Sequence, residues 1–478
     1  MPNFDGFVGE AYQAPSIYQD AQELINWYPE IDKTKPQGAR GVMALYPTPG
    51  LTVQLVPGVV GEVRGLYVLA GGSTMLAVVG NTAYSISSSF VATAIGTLTT
   101  STGLVYITDN RVAAMFGDGV NRYSYTFSGS GWSTLPTSDG AFTGADKVEY
   151  VDDFIVYNNP GTQQWGATSA LLTTSPALSF SSKDSAPDNI VNIAVDKREV
   201  LLIGEYTTER WINVGAFPFP FNRIPGASMQ HGCAAKYSVA RLGESMAWIS
   251  QDRHGAKMVI QMEGYQPKRI STHAVENDIF SGVVSDARAF AYQQDGHEFY
   301  ELTFPTQNKT WVYDLASDMW HKRFYRNSSN GLERSRANCQ AWFQGLNLVG
   351  DYANGTIYAL DRSAYTDAGQ PILRLRRAPH VTQELDYVFH ESLQIQFQPG
   401  VGDNTTLNPQ CMLRWSDDGG STWSNMYNLP IGKIGEYKNR AIKKLLGRAR
   451  DRIYEVSITD PVYAAIISAN LDIKKGIY

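Results

Sequence analysis

The sequence predicts an all-β protein, mainly a β-propeller of six or seven blades, with a small antiparallel β-sandwich formed by its C-terminal region. Three observations carry this. A unit of apolar strands and tight turns recurs from about residue 64 at a spacing of roughly 38 to 49 residues, the range of four-stranded propeller blades. The 43 glycines and 12% aromatic content suit many short turns between aromatic-rich strands. Sustained helical periodicity is missing from end to end. The expected divisions are an N-terminal region of short strands and extended chain (1–60), the propeller (61–365) and the C-terminal sandwich (366–478), with the N-terminal strands packing on the sandwich.

In chain order, residues 1–60 stand outside the repeat. Asn26-Trp27-Tyr28-Pro29-Glu30 and Leu45-Tyr46-Pro47-Thr48-Pro49-Gly50-Leu51 read as short strands stopped by proline and glycine, and Asp20 to Leu24 as a brief helical turn. The first repeat has Leu66 to Leu69, Met75 to Val79 after Gly71-Gly72, then Ala83 to Ile86 after Gly80-Asn81. Its turns use residues that tolerate positive φ, as short hairpins require. The second unit has Leu104 to Ile107, Val112 to Phe116 and Tyr123-Ser124-Tyr125. The third runs from Val148 through Phe154–Tyr157 to Trp165, and the fourth from Ile190 through Val200–Ile203 to Trp211. Later units centre on Met246–Ile249 with Met258–Ile260, on Phe299–Phe304 with Trp311–Leu315 and Trp320, and on Ala341–Phe343, Leu346–Val349 and Ile357–Leu360. A fourth strand per unit is poorly marked. Past about residue 365, Ile372–Arg376, Leu393–Phe397, Cys411–Trp415 and Ile453–Ile458 alternate as sandwich strands do.

Composition narrows function. Charged residues make up only 18% against 43% hydrophobic, a globular balance, and the net charge of −6 argues against a chain that grips nucleic acid over its whole surface. No run approaches the ~18 apolar residues that span a bilayer, so no membrane insertion is expected. The opening Met1-Pro2-Asn3-Phe4-Asp5 has neither the basic start nor the apolar core of a secretion signal. Cys233, Cys339 and Cys411 are odd in number and share no metal spacing, and read as thiols in a reducing compartment. Folding in a cytoplasm is expected.

No nucleophile elbow, phosphate loop or HExxH motif occurs, so no catalytic residue and no cofactor or metal is expected. His231-Gly232-Cys233 places two ligand types on one strand face without a second pair. Trp311-Val312-Tyr313-Asp314 with Trp320 is kelch-like and reads as blade packing. Ser416-Asp417-Asp418-Gly419-Gly420-Ser421-Thr422-Trp423 is similar to the Asp-box of sialidases, with Ser416, Asp418, Gly420 and Trp423 in the motif positions. There the carboxylate bonds turn amides, the tryptophan packs beneath and the box staples a hairpin away from the active site. Lys443, Lys444, Arg448, Arg450 and Arg452, with Lys438 and Arg440 nearby, form a basic stretch. Alternation of Arg448, Arg450 and Arg452 along a strand would set three guanidiniums on one face, which calls for carboxylates or phosphates opposite.

The segment Leu446–Val456, running on to Thr459-Asp460-Pro461-Val462, resembles the C-terminal signature of the packaged-DNA stabilisation proteins of short-tailed bacteriophages. The Asn26–Glu30 and Tyr46–Leu51 motifs resemble the same family's opening, and Trp415–Gly420 fits as well. The resemblance implies a structural, non-enzymatic tail hub or nozzle: a homo-oligomeric ring, typically of six copies, below the portal and its adaptor. Such a ring extends the channel for double-stranded DNA without sequence-specific binding, retains the packaged genome and carries the tail needle and tailspikes or fibres. It also implies assembly in the host cytoplasm and residence in the virion tail. The alternatives are a glycan-binding or glycan-cleaving propeller, such as a tail-borne hydrolase, and a monomeric propeller scaffold. On the hub reading, the basic stretch faces an acidic partner or a neighbouring subunit.

Overall fold

Two-residue turns at positive φ set the chain path from residue 63 onward. Gly80 (φ +56), the pair Asp152-Asp153 (+47, +71) and the pair Lys197-Arg198 (+49, +67) each return the chain into an antiparallel neighbour. The computed structural model describes residues 2–36, 41–129, 131–383 and 386–476. Successive hairpins make four-stranded sheets over 63–97, 106–134, 148–182 and 190–223, a fifth sheet over 232–269, and a sixth unit over 288–322. The seventh has three strands of its own, Ala337–Phe343, Leu346–Asp351 and Ile357–Asp361. Its outer strand is Gly50–Leu55, paired antiparallel to Ile357–Asp361. First strands pack side by side around the ring, and the seventh unit packs back on the first. The propeller therefore has seven blades, closed by a strand from the N-terminal side of the chain.

Buried cations fasten the connectors between the early blades. Arg64, fully buried, donates to the carbonyls of Gly80, Thr100, Thr102 and Gly103. Arg122 holds Asp139, Phe142 and Thr143 in the same way, and Lys183 pairs with Asp188 and Thr207. Each connector is tied through its backbone carbonyls or one carboxylate, which satisfies polar groups that burial would otherwise penalise.

The sandwich draws on both ends of the chain. One sheet orders Ala21–Ile25, Arg374–Arg377, Asp451–Ile458, Gln410–Ser416 and Tyr427–Pro430. The other orders Trp27–Ile31, Met43–Pro47, Ile466–Lys475, Val388–Phe397 and Ala441–Lys444. Ile25 also pairs parallel with Lys322 at the outer edge of blade VI, so the first sheet is continuous with that blade. Trp27, Leu45, Leu393, Leu413, Val456 and Ile466 share one core with Trp311, Tyr313 and Trp320 of the blade.

The Asn26–Glu30 motif is the joint between the two bodies. Asn26, at φ +54, donates to the Phe324 and Leu373 carbonyls and accepts from the Phe324 N–H. Trp27 is fully buried, its Nε1 2.7 Å from the Ala464 carbonyl. Tyr28 packs edge-on against Phe299 of blade VI, and Glu30 accepts from His297 of the same blade. Gly50 marks the crossing into the propeller, where a Cβ would lie 2.5 Å from the carbonyls of Ala364 and Thr366.

Several expectations change. Asp20 to Leu24 is no helical turn: Ala21–Ile25 is a strand, held between Arg374–Arg377 and blade VI. Met246–Ile249 and Phe299–Phe304 are second strands, behind the inner strands Ala240–Leu242 and Arg288–Gln294. A seven-residue helix, His273–Ile279, links blades V and VI. In the alternating 372–376 segment both arginines point inward and are fully buried.

Candidate assembly surface

The Asp-box residues lie in the hairpin between Gln410–Ser416 and Tyr427–Pro430. Ser416 Oγ accepts the Gly420 N–H at 2.8 Å and donates to Asp418 Oδ1 at 2.7 Å. Asp418 accepts the Thr422 N–H at 2.8 Å and its hydroxyl at 2.6 Å. Those Thr422 and Ser416 bonds hold the Asp418 carboxyl down to about 2. Gly419 and Gly420 take φ +70 and +98, where a side chain would strain the turn. The Trp423 ring lies against the turn, 3.7 Å from where a Cβ on Gly420 would stand. It is half-buried, with the guanidiniums of Arg414 and Arg377 4.5 and 5.1 Å from its ring centroid. Both arginines pair with the buried Glu455. The motif is a hairpin staple, with a cation–π stack on the sheet surface.

The basic stretch divides at Leu445-Leu446-Gly447. Ala441–Lys444 is the last strand of its sheet, Arg448–Ala449 makes a short pairing with Val388 and Phe389, and Asp451–Ile458 lies in the other sheet. Arg448 and Arg450 are exposed, each 4.7 Å from the Tyr387 ring centroid. Arg452 does not join them. It is 2% exposed, bidentate to Asp417 at 2.6 and 2.8 Å and bonded to the Leu446 carbonyl. The expected row of three guanidiniums is thus a pair outside and one inside, because the chain bends at Arg450 between two separate strand segments, Arg448–Ala449 and Asp451–Ile458. Lys443 Nζ sits 3.9 Å from the Tyr427 ring centroid, and Lys444 is exposed. Lys438, Arg440, Lys443, Lys444, Arg448 and Arg450 have no carboxylate partner among the described residues. The aromatic partners Tyr387 and Tyr427 escape a sequence reading, since only the folded sheets bring them to the cations.

The propeller axis is closed by side chains. Tyr106 on the inner strand of blade II and Tyr237, entering blade V, lie 6.1 Å apart across the ring. Lys147 of blade III sits 3.7 Å over Tyr106, and Arg288 of blade VI joins Glu62 and Asn338. Burial keeps the Tyr106 phenol neutral by pushing its pKa far up.

The remaining candidates are structural. His231 Nδ1 contacts Ser250 Oγ, Cys233 donates to the Ala235 carbonyl, and burial pushes that thiol up to about 11. No group of three or more metal-ligating side chains is assembled among the described residues. Trp311 and Trp320 meet edge to face inside blade VI, as the kelch-like reading expects.

Comparison with known proteins agrees with this architecture. The family model described as bacteriophage P22 Gp10, beta-propeller, matches residues 19–365, and that described as bacteriophage P22 Gp10, beta-sandwich, matches residues 374–474. No curated protein matches. Among solved structures, the extracellular domain of a B. thetaiotaomicron one-component system is 10% identical at a TM-score of 0.45, covering 79% of this chain and 47% of its own. This chain thus spans about half of that one. The N-terminal domain of Nup159 (12% identical, TM-score 0.40, 71% of this chain and 99% of its own) and the WD40 propeller domain of Doa1 (10%, 0.40, 66% and 98%) are also similar. Likenesses at this level say nothing of function.

Proposed function

From the premise that the chain belongs to the family of bacteriophage P22 Gp10, a structural phage protein with this propeller and this sandwich, we propose that it is the ring-forming hub of a short-tailed phage tail. Several copies, six by the family resemblance, assemble in the host cytoplasm below the portal and its adaptor, extend the DNA channel, retain the packaged genome and carry the needle and the tailspikes or fibres. The observation that carries this reading is a set of basic side chains on the sandwich, Lys438, Arg440, Lys444, Arg448 and Arg450 exposed and Lys443 half-buried, with no carboxylate partner among the described residues. Like charges gathered without counter-charges lose stability through self-repulsion, and an acidic surface of a partner or neighbouring subunit would supply the carboxylates that the described residues do not. The closed propeller axis supports it further, since a conduit for DNA then has to lie between copies rather than through a blade ring.

Arg448→Glu with Arg450→Glu tests this. Negative-stain microscopy of the double variant mixed with portal–adaptor should show no ring, while the unaltered chain forms one. Rings that form normally, with only DNA retention altered, overturn the assignment of this surface.

The glycan-binding reading has one observation in its favour. Trp342, 59% exposed, stands beside a groove of about 470 Å³ lined by Arg241, Gln293, Glu298, Gln340 and Asn347. Stacking of a sugar on that ring would quench its fluorescence. A saturable quench by host-surface oligosaccharides, lost in Trp342→Ala, would favour this reading.

A further inference from the structure

The Ala441–Lys444 strand ends its sheet with an open side. Its register against Val388–Phe397 sets Lys444 opposite Ser392, Lys443 opposite Leu393, Ile442 opposite Gln394 and Ala441 opposite Ile395. The Leu445 N–H donates to the Glu391 carbonyl at 2.8 Å. Within that peptide the Lys444 carbonyl points the other way, out of the sheet. Because backbone groups alternate sides along a strand, the Lys443 and Ala441 groups face the sheet while those of Ile442 and Lys444 face outward. No hydrogen bond to the outward groups is made among the described residues.

Side chains mark the same edge. Ile442 is 39% exposed and Lys444 is exposed beside it. Leu445, just past the strand, is 89% exposed at φ +58, a conformation that costs a branched apolar residue about 1–2 kcal/mol. An apolar side chain held out at positive φ beside an unpaired strand is anomalous for a protecting edge. Lysines on an edge keep unwanted strands away. Here they also select, since a second copy of the same edge would set lysine against lysine, whereas acidic side chains would lie opposite Lys444, Arg440 and Arg448.

We propose that this edge takes up an extended acidic segment of a partner protein as an added β-strand, main chain to main chain along Ile442–Lys444, with its acidic side chains on the flanking cations and an apolar one beside Leu445. This rests on the reading that the basic surface meets a partner, and names the mode of contact.

The test uses the full chain and a fluorescein-labelled peptide of alternating glutamate and valine, seven residues long, followed by anisotropy. Ile442→Pro removes an outward N–H and leaves the bonds to Val388–Phe397 in place, and Ile442→Ala removes the side chain but keeps the N–H. Expected are saturable binding by the unaltered chain, at least about tenfold weaker binding by Ile442→Pro, a lesser loss in Ile442→Ala, and weaker binding of the alternating lysine–valine peptide. Thermal melting of Ile442→Pro checks that the fold is intact. Equal binding by the proline and alanine variants, or equal binding of the lysine peptide, overturns strand addition, as does absence of binding by the unaltered chain. Ring formation of Ile442→Pro on portal–adaptor separates the two readings: rings with failed peptide tests leave the hub standing and remove only the added strand.

Discussion

Arg376→Met should loosen the N-terminal segment by about 4 kcal/mol. Arg376 is fully buried and carries no carboxylate partner. Its guanidinium donates to the carbonyls of Phe7 (2.7 Å), Gly6 (2.7 Å), Glu10 (2.8 Å) and, longer, Glu23 (3.4 Å), and to Gln22 Oε1. Burial brings its pKa down to about 9, which still leaves it charged at neutral pH. Methionine fills the stem and makes none of these bonds. The Phe7 carbonyl lies in the dry core and loses about 2–3 kcal/mol, while the other three sit near water and lose about 0.5 kcal/mol each. Lysine keeps the charge but has three donors, so Arg376→Lys should cost about half. Native-state amide exchange reads this locally: the Phe4 and Ala11 amides, bonded to Ala469 and Trp320, should exchange nearly a thousandfold faster in Arg376→Met. Acceleration below about fivefold, close to 1 kcal/mol, would refute the view that this arginine fastens the segment.

Three further outcomes concern the propeller closure, the joint and the Asp-box turn. Leu51→Ala, at a 3% exposed position of the strand that closes blade VII, should cost about 2–5 kcal/mol and lower the calorimetric melting of the propeller. The Asp314 bond, with Glu30 on the other ring nitrogen, raises the His297 pKa. Its contribution is therefore complete below about 6.5 and is lost as pH rises through the folded value. Melting temperature should fall across that window in the native chain, and less steeply in His297→Gln. The Asp418 carboxyl has the opposite sign: its stabilisation is present above about 3.9 and is lost as pH falls through about 2. Nuclear magnetic resonance of the Thr422 amide should show that step, and Asp418→Asn should abolish it.

Much of the propeller is legible in the sequence because second and third strands are buried on both faces and bounded by turn residues, as Met75–Val79 and Val200–Ile203 are. Outer strands such as Ala92–Thr97 and Gly131–Thr134 lie mostly in solvent and carry no alternation to detect. Blade VII lacks an outer strand in its own stretch of chain, and nothing local assigns Gly50–Leu55 to a partner some 300 residues on. The Ala21–Ile25 strand is similarly decided by its neighbours. At the candidate surface the cations are plain in the sequence, but the inward turn of Arg452 depends on a bend that spacing does not reveal, and the open strand edge depends on register.

The joint gives the N-terminal motif its physical meaning. Blade VI and the first sandwich sheet share a parallel pair at Ile25 and Lys322, Asn26 bonds the segments that follow the one and precede the other, and Trp27 enters the sandwich core while Tyr28 and Glu30 bind blade VI. Two bodies tied by a shared core and a continuous sheet do not hinge as two domains on a linker do. Force applied at the basic sandwich surface would then pass directly into the propeller. Asn26, whose side-chain amide bonds both connectors, is where that stiffness is most exposed to loss. Asn26→Ala would leave the Phe324 and Leu373 carbonyls and the Phe324 N–H without those partners, at about 1–3 kcal/mol for each group that water does not reach. The expected result is faster cleavage in segments 323–326 and 371–374 by a protease in native conditions, with both bodies still folded. Unchanged cleavage there would mean that the shared core alone keeps the joint rigid.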